Sequence, residues 1–130
     1  MNIIGNGVDI IDNLRISKSI KNIKFIQRIY SNYEIKKSKF VKNKVNYFAK
    51  RFAAKEAFVK SLGTGFRDGI NFCDISIIND KLGKPNIKIN KNIKSKILKK
   101  KKIKKLKMFL SLSDEKKHSI AFVILSGMSK

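Results

Sequence analysis

The sequence predicts a mixed helix-and-strand protein built around one long helix, and three observations carry that reading. A chain of 130 residues with 42% hydrophobic content suits one domain, residues 1–130, around one core. Apolar residues recur at helical spacing from Val45 through Phe48, Ala49, Phe52, Ala53, Val59 and Leu62. Strand-like stretches lie before and after that helix, so periods of 2 and 3.6 are interleaved along the chain.

The first strand is Ile3 to Asp12, where two glycines precede a run of β-branched residues. Alternation puts Val8 and Ile10 on one face and Asp9 with Ile11 on the other, so the Asp9 carboxylate shares a face with an apolar side chain. Asn13 to Phe40 reads as short helices. Ile16, Ile20, Ile23, Ile26 and Ile29 follow at three- and four-residue steps, and Arg15, Lys18, Lys21, Lys24 and Arg28 form a basic face. Ser31 followed by Glu34 fits a capping box that starts a new helix.

Within the long helix Glu56 falls on the apolar stripe, three residues after Ala53 and three before Val59. An ionised carboxylate on a dry face requires a cation, a metal or several donors. Gly63 ends the helix, and Thr64 and Gly65 follow without bulk, which leaves room for a ligand near the backbone. A glycine-punctuated loop then leads to a strand at Phe72 to Asn79, a turn at Asn79, Asp80 and Gly83, and a short strand at Asn86 to Asn90. Helical spacing returns over Asn92 to Leu106 and includes the run Lys99 to Lys102, which reads as a solvated face. Met108 to Ser113 and Ser119 to Leu125 alternate like two strands joined by a hairpin turn.

The formal charge of +22 first suggests a polyanion as partner. Only four of the 31 basic residues are Arg, however, and Ile, Lys and Asn dominate the composition, as adenine- and thymine-rich codons would produce in any protein. Scarce Arg argues against a protein that reads base edges, so specific nucleic-acid binding is not expected. No apolar run approaches a membrane span, and the N-terminal residues lack a signal-peptide pattern, which predicts a cytoplasmic protein. The single Cys73 excludes an internal disulfide and reads as a small buried hydrophobe; paired with His118 it has no orienting third group.

Asp9 and Glu56 are thus the two carboxylates with apolar neighbours, and a shared divalent cation accounts for both. A hard cation such as Mg2+ takes one or two carboxylates and completes its shell with water and phosphate oxygens, which implies a phosphate-bearing substrate. Spacing alone leaves the alternative open, in which Glu56 pairs with Arg51 or Lys60 and Asp9 stays wet.

Three stretches resemble bacterial 4'-phosphopantetheinyl transferases of the holo-(acyl-carrier-protein) synthase family. Gly7 to Ile16, GVDIIDNLRI, is similar to the first family motif; Arg51 to Gly65, RFAAKEAFVKSLGTG, to the second; and LSLSDEKKHSIAFVIL to the C-terminal hairpin. Leu82 to Pro85, LGKP, falls between them as expected. The resemblance implies an α+β fold with an antiparallel sheet packed against a long central helix, assembled as a homotrimer with coenzyme A in clefts between subunits. It implies Mg2+ held by Asp9 and Glu56 with the coenzyme diphosphate. Arg51, Lys60, Gly63, Thr64 and Gly65 then border the coenzyme, and Gly83, Lys84 and Pro85 close over its adenosine end. Arg15, Lys21, Lys24 and Arg28 match the basic helix that meets apo-acyl carrier protein. The implied reaction moves phosphopantetheine from coenzyme A to a serine of that carrier. One departure stands out: many relatives begin the C-terminal strand motif with His, whereas this chain has Phe109, which can pack against adenine but cannot move a proton. A small basic nucleic-acid binder, or a relative that binds carrier protein with weakened chemistry, are the competing readings.

Overall fold

The structure is a computed structural model that describes residues 1–63 and 69–129. Strand β1 (Asn2–Asp12) leads into three seven-residue helices, α1 (Asn13–Ser19), α2 (Ile23–Ile29) and α3 (Asn32–Ser38), and then the central helix α4 (Lys44–Leu62). A 3-10 turn (Phe72–Asp74) precedes β2 (Ile75–Asn79) and β3 (Pro85–Ile89), followed by α5 (Lys91–Lys101), β4 (Lys105–Asp114) and β5 (His118–Met128). The strands form an antiparallel three-stranded sheet in the order β1-β5-β4 and a separate β2–β3 hairpin. The predicted α+β class and the central helix are both present.

Local chemistry explains the starts of the helices. Asp12, Asn22, Ser31, Asn43 and Asn90 each accept a first-turn backbone N–H through the side chain, which satisfies a donor the helix cannot. The Ser31–Glu34 capping box forms in both directions, as its spacing predicts.

Five expectations are corrected. The long helix does not bury a single stripe: α4 lies between the sheet and the layer of α1–α3 and β2, so nearly every side chain from Tyr47 to Leu62 is buried, Lys55 included. Glu56 is only half-buried, because with Lys60 it occupies the one edge of the helix left open. Phe72–Asp74 is a 3-10 turn rather than strand, and Cys73 there is partly exposed. Finally, α5 stops at Lys101. Lys102 adopts a left-handed conformation (φ 55°), the Ile103 N–H returns to the Leu98 carbonyl, and the Lys104 N–H bonds the Met128 carbonyl, so pairing with β5 replaces further helix.

The sheet packs one face on α4. Ile11, Leu110, Ala121, Val123 and Leu125 point inward into one continuous core with Phe48, Phe52, Phe58 and Leu62 of the helix. Register puts Val8 opposite Phe122, Ile10 opposite Ile120 and Phe109 opposite Ile124, and these side chains face away from α4. That outer face is apolar yet exposed at Val8, Ile10, Phe109, Ile120 and Phe122.

Candidate functional site

The site forms where β1 crosses α4, and two glycines allow the crossing. A β-carbon on Gly7 would collide with the Ala57 carbonyl oxygen, and one on Gly5 with that of Ser61, so the strand lies directly on the helix backbone. Sequence reading missed this role for the two glycines; a pair of Gly spaced by two on a strand face that also carries an inward Asp is the signal that could have found it.

Asp9 points to the α4 side, and its side chain is 14% exposed. Lys60 reaches across and puts its Nζ 2.9 Å from Asp9 Oδ1 and 3.2 Å from the Val8 carbonyl oxygen. The cation required by a nearly dry carboxylate is therefore present. Glu56 lies one helical turn before Lys60 and shares its edge of α4. The structure brings Asp9 and Lys60 into contact, so Asp9 is not in open water, and helical spacing puts Glu56 on the same edge of α4 as Lys60.

Gly63 caps α4 with φ 91° and is exposed. A β-carbon there would lie 4.0 Å from Lys101 Nζ, so the Lys run at the end of α5 supplies a cation beside the turn and is not solely a solvated face. Thr64 and Gly65 lie outside the described residues.

Arg51 is 5% exposed and turned inward. Its guanidinium sits 3.7 Å over the Tyr47 ring and donates to the Tyr47 carbonyl and to Asn79 Oδ1, at 3.2 and 3.3 Å, while its buried Nε has no hydrogen-bond partner among the described residues. Next to Asn79, the Asp80 carboxylate accepts the N–H groups of Leu82 and Lys84, and Gly83 turns the chain with φ 86°. The turn that carries Gly83, Lys84 and Pro85 is thus tied to α4 through Arg51. A cavity of about 320 Å³ opens there, lined by Tyr33, Lys37, Tyr47, Arg51 and Asn79 among others.

Arg15, Lys21, Lys24 and Arg28 are all exposed on one layer. Aromatic rings set two of them: Arg15 lies over Phe52 of α4, and Arg28 over Phe25, which itself stacks on Phe52 at 6.2 Å.

A buried ion pair absent from the sequence reading lies beneath that layer. Lys55 and Glu34 are both 0% exposed, with Lys55 Nζ 2.5 Å from Glu34 Oε1 and donating also to the carbonyls of Ile29 and Phe72. Burial pushes the Lys55 ammonium below its ordinary value, and the adjacent carboxylate opposes that shift. The signal in the sequence was slight, since a Lys beside Glu56 reads as surface charge.

Among the described residues no three acidic, His or Cys side chains cluster, so a metal here would rest on two carboxylates. That donor set fits Mg2+, whose remaining positions are filled by phosphate oxygens and water, and Asp9 already holds a cationic group at 2.9 Å. No helix among the described residues is long and apolar enough to cross a membrane.

The model of the 4'-phosphopantetheinyl transferase superfamily matches residues 5–123. The chain is 54% identical over 125 residues to a holo-(acyl-carrier-protein) synthase of Pelagibacter ubique, covering 96% of this chain and 98% of that protein. A crystal structure of the synthase from Neisseria meningitidis is 40% identical with a TM-score of 0.83 and covers 95% of this chain and 98% of its own. The synthase from Bacillus anthracis, solved in complex with CoA (3',5'-ADP), is 34% identical with a TM-score of 0.79 and covers 96% of this chain and 97% of its own.

Proposed function

The chain belongs to the 4'-phosphopantetheinyl transferase superfamily, and from that premise we propose that it acts as a cytoplasmic, Mg2+-dependent holo-(acyl-carrier-protein) synthase of fatty acid biosynthesis. Its substrates are coenzyme A and apo-acyl carrier protein. The observation that carries the reading is the junction of β1 and α4, where Asp9 meets Lys60 and Glu56 lies one helical turn before Lys60.

Asp9 and Glu56 would hold the cation, and Mg2+ bound there would neutralise phosphate charge. The serine Oγ of the carrier forms a bond to the phosphorus that bears pantetheine. The bond from that phosphorus to the bridging oxygen breaks, the serine proton passes to solvent water, and adenosine 3',5'-bisphosphate leaves with the electron pair of the broken bond. Negative charge grows on the diphosphate, and the Lys60 ammonium, fixed by Asp9 and the Val8 carbonyl, stabilises it. Gly63 lets the backbone approach the coenzyme, with Lys101 beside it as a further cation. Arg51 supports the coenzyme by fixing the Gly83-Lys84-Pro85 turn through Asn79.

Arg15, Lys21, Lys24 and Arg28 steer and orient the acidic carrier. The exposed apolar face of the sheet, which carries Phe109 and is turned away from the Asp9 side, supports a homotrimer.

The test is the mass of purified apo-acyl carrier protein after incubation with the protein, coenzyme A and Mg2+, beside a chelator control and Glu56→Ala. The expected result is a phosphopantetheine-sized increase that needs both metal and Glu56. No increase with folded protein overturns the reading, unless Phe109→His restores transfer, which would identify a weakened enzyme.

A further inference from the structure

A transferase that joins two substrates must hold the docking surface of one at a fixed offset from the reacting phosphorus of the other, because misplacement by about 1 Å can cost about a hundredfold in rate. In this fold the two surfaces belong to different elements. Lys24 and Arg28 are on α2, whereas Glu56 and Lys60 are on α4. Helix α2 has no fully buried residue; Phe25, Ile26 and Ile29 pack half-buried against the core and Phe25 stacks on Phe52 of α4, non-directional contacts that hold α2 on α4 without fixing its register.

The directional tie comes from Lys55, the residue before Glu56. Its Nζ donates at 2.8 Å to the carbonyl of Ile29, the last residue of α2, and at 2.9 Å to the carbonyl of Phe72, which opens the 3-10 turn before β2. A cation on the C-terminal carbonyls of a helix also opposes its dipole. The third partner, Glu34, spreads the tie further. Its Oε1 accepts the Ser31 N–H and its Oε2 accepts the Ile77 N–H, both at 2.9 Å, so the α3 cap and β2 are fastened to the same ammonium. Both side chains are fully buried. An apolar pair could fill that volume, and such replacements are often neutral for stability. It could not satisfy two carbonyls and two N–H groups drawn from four separate segments.

We propose that Lys55 and Glu34 are a positioning pair that sets the carrier-protein face of α2 against the reacting centre on α4, and the proposal rests on the transferase reading above. Neither residue touches a substrate. Their loss should therefore appear in the use of carrier protein and not in coenzyme binding.

The experiment is steady-state kinetics of E34Q/K55M, which removes both charges together and keeps an acceptor for one of the Ser31 and Ile77 amides. Expected is a fall of about tenfold to a hundredfold in kcat/KM for apo-acyl carrier protein, with KM for coenzyme A within about twofold of the parent and a cooperative melt. Unchanged carrier-protein kinetics in the folded variant would reduce the pair to a structural role and overturn the proposal. A second measurement needs no variant: hydrogen exchange of the parent protein should show the α2 amides protected in step with α4, and exchange of α2 at unfolded-chain rates would equally overturn it. If the parent modifies no carrier at all, the transferase reading fails, and this inference falls with it.

Discussion

Lys60 on α4 and Asp9 on β1 meet at 2.9 Å, although 51 residues separate them in the chain. The pair is unequal: the Lys side chain is 48% exposed and the Asp 14%. A half-exposed ammonium adds little to folding, and its value is the charge it brings to the junction.

Lys60→Met should therefore divide stability from activity. The change in unfolding free energy should stay below about 1 kcal/mol, while transfer to carrier protein falls by about a hundredfold. Parallel melts and single-turnover rates check this; equal loss in both would mean that Lys60 is a structural contact.

Gly7→Ala tests the close crossing of β1 and α4. A methyl group there meets the Ala57 carbonyl oxygen, so strand or helix must shift. The expected cost is about 1–3 kcal/mol by denaturant unfolding. Gly69→Ala is the control, since nothing lies within 4 Å of its β-carbon. Similar stabilities for the two would contradict the packing argument.

Phe122→Lys tests the outer sheet face. Phe122 is exposed beside Val8 in the register of β1 and β5, so a charge there should leave the protomer fold intact and oppose burial of that face against another copy. Sedimentation should show trimer for the parent and monomer for the variant at micromolar concentration. A parent that sediments as a monomer would refute the assembly.

Acid should loosen the β4–β5 turn. The His118 ring, 2.9 Å from Glu115 Oε1, holds the Glu115 carboxyl below its ordinary value, aided by the Lys117 and His118 backbone. A carboxylate depressed in the fold stabilises fully above its unfolded value, and that contribution is lost as pH falls through the folded value. The NMR titration midpoint of Glu115 should lie under 4.5. Glu115→Gln should remove the associated pH dependence of exchange at the turn.

Much of this was legible in the residues. Alternation along Ile3 to Asp12 gave the correct inward face for Asp9, because strand periodicity depends on the backbone alone. Ser31 and Glu34 announced their capping box, since both partners lie within one turn. Glu56 was read as lying on a dry stripe, and that reading failed where local information ends: a helix covered on two sides has no single stripe, so periodicity does not reveal which edge stays open. The same limit hid Lys55, whose partners Glu34, Ile29 and Phe72 come from three distant segments. It also hid the end of α5, where the competing partner of Lys104 is Met128, the last residue of β5 and distant in the chain.

By itself, then, the sequence determined what short-range physics controls: the caps, the strand faces, the one long helix, and the motifs that mark the family. Only the tertiary structure decided which charges meet. Asp9 with Lys60, Glu34 with Lys55 and Arg51 with Asn79 are contacts across elements. Their geometry follows from how closely two glycines let β1 lie on α4 and from which backbone groups the packed layers leave to be satisfied.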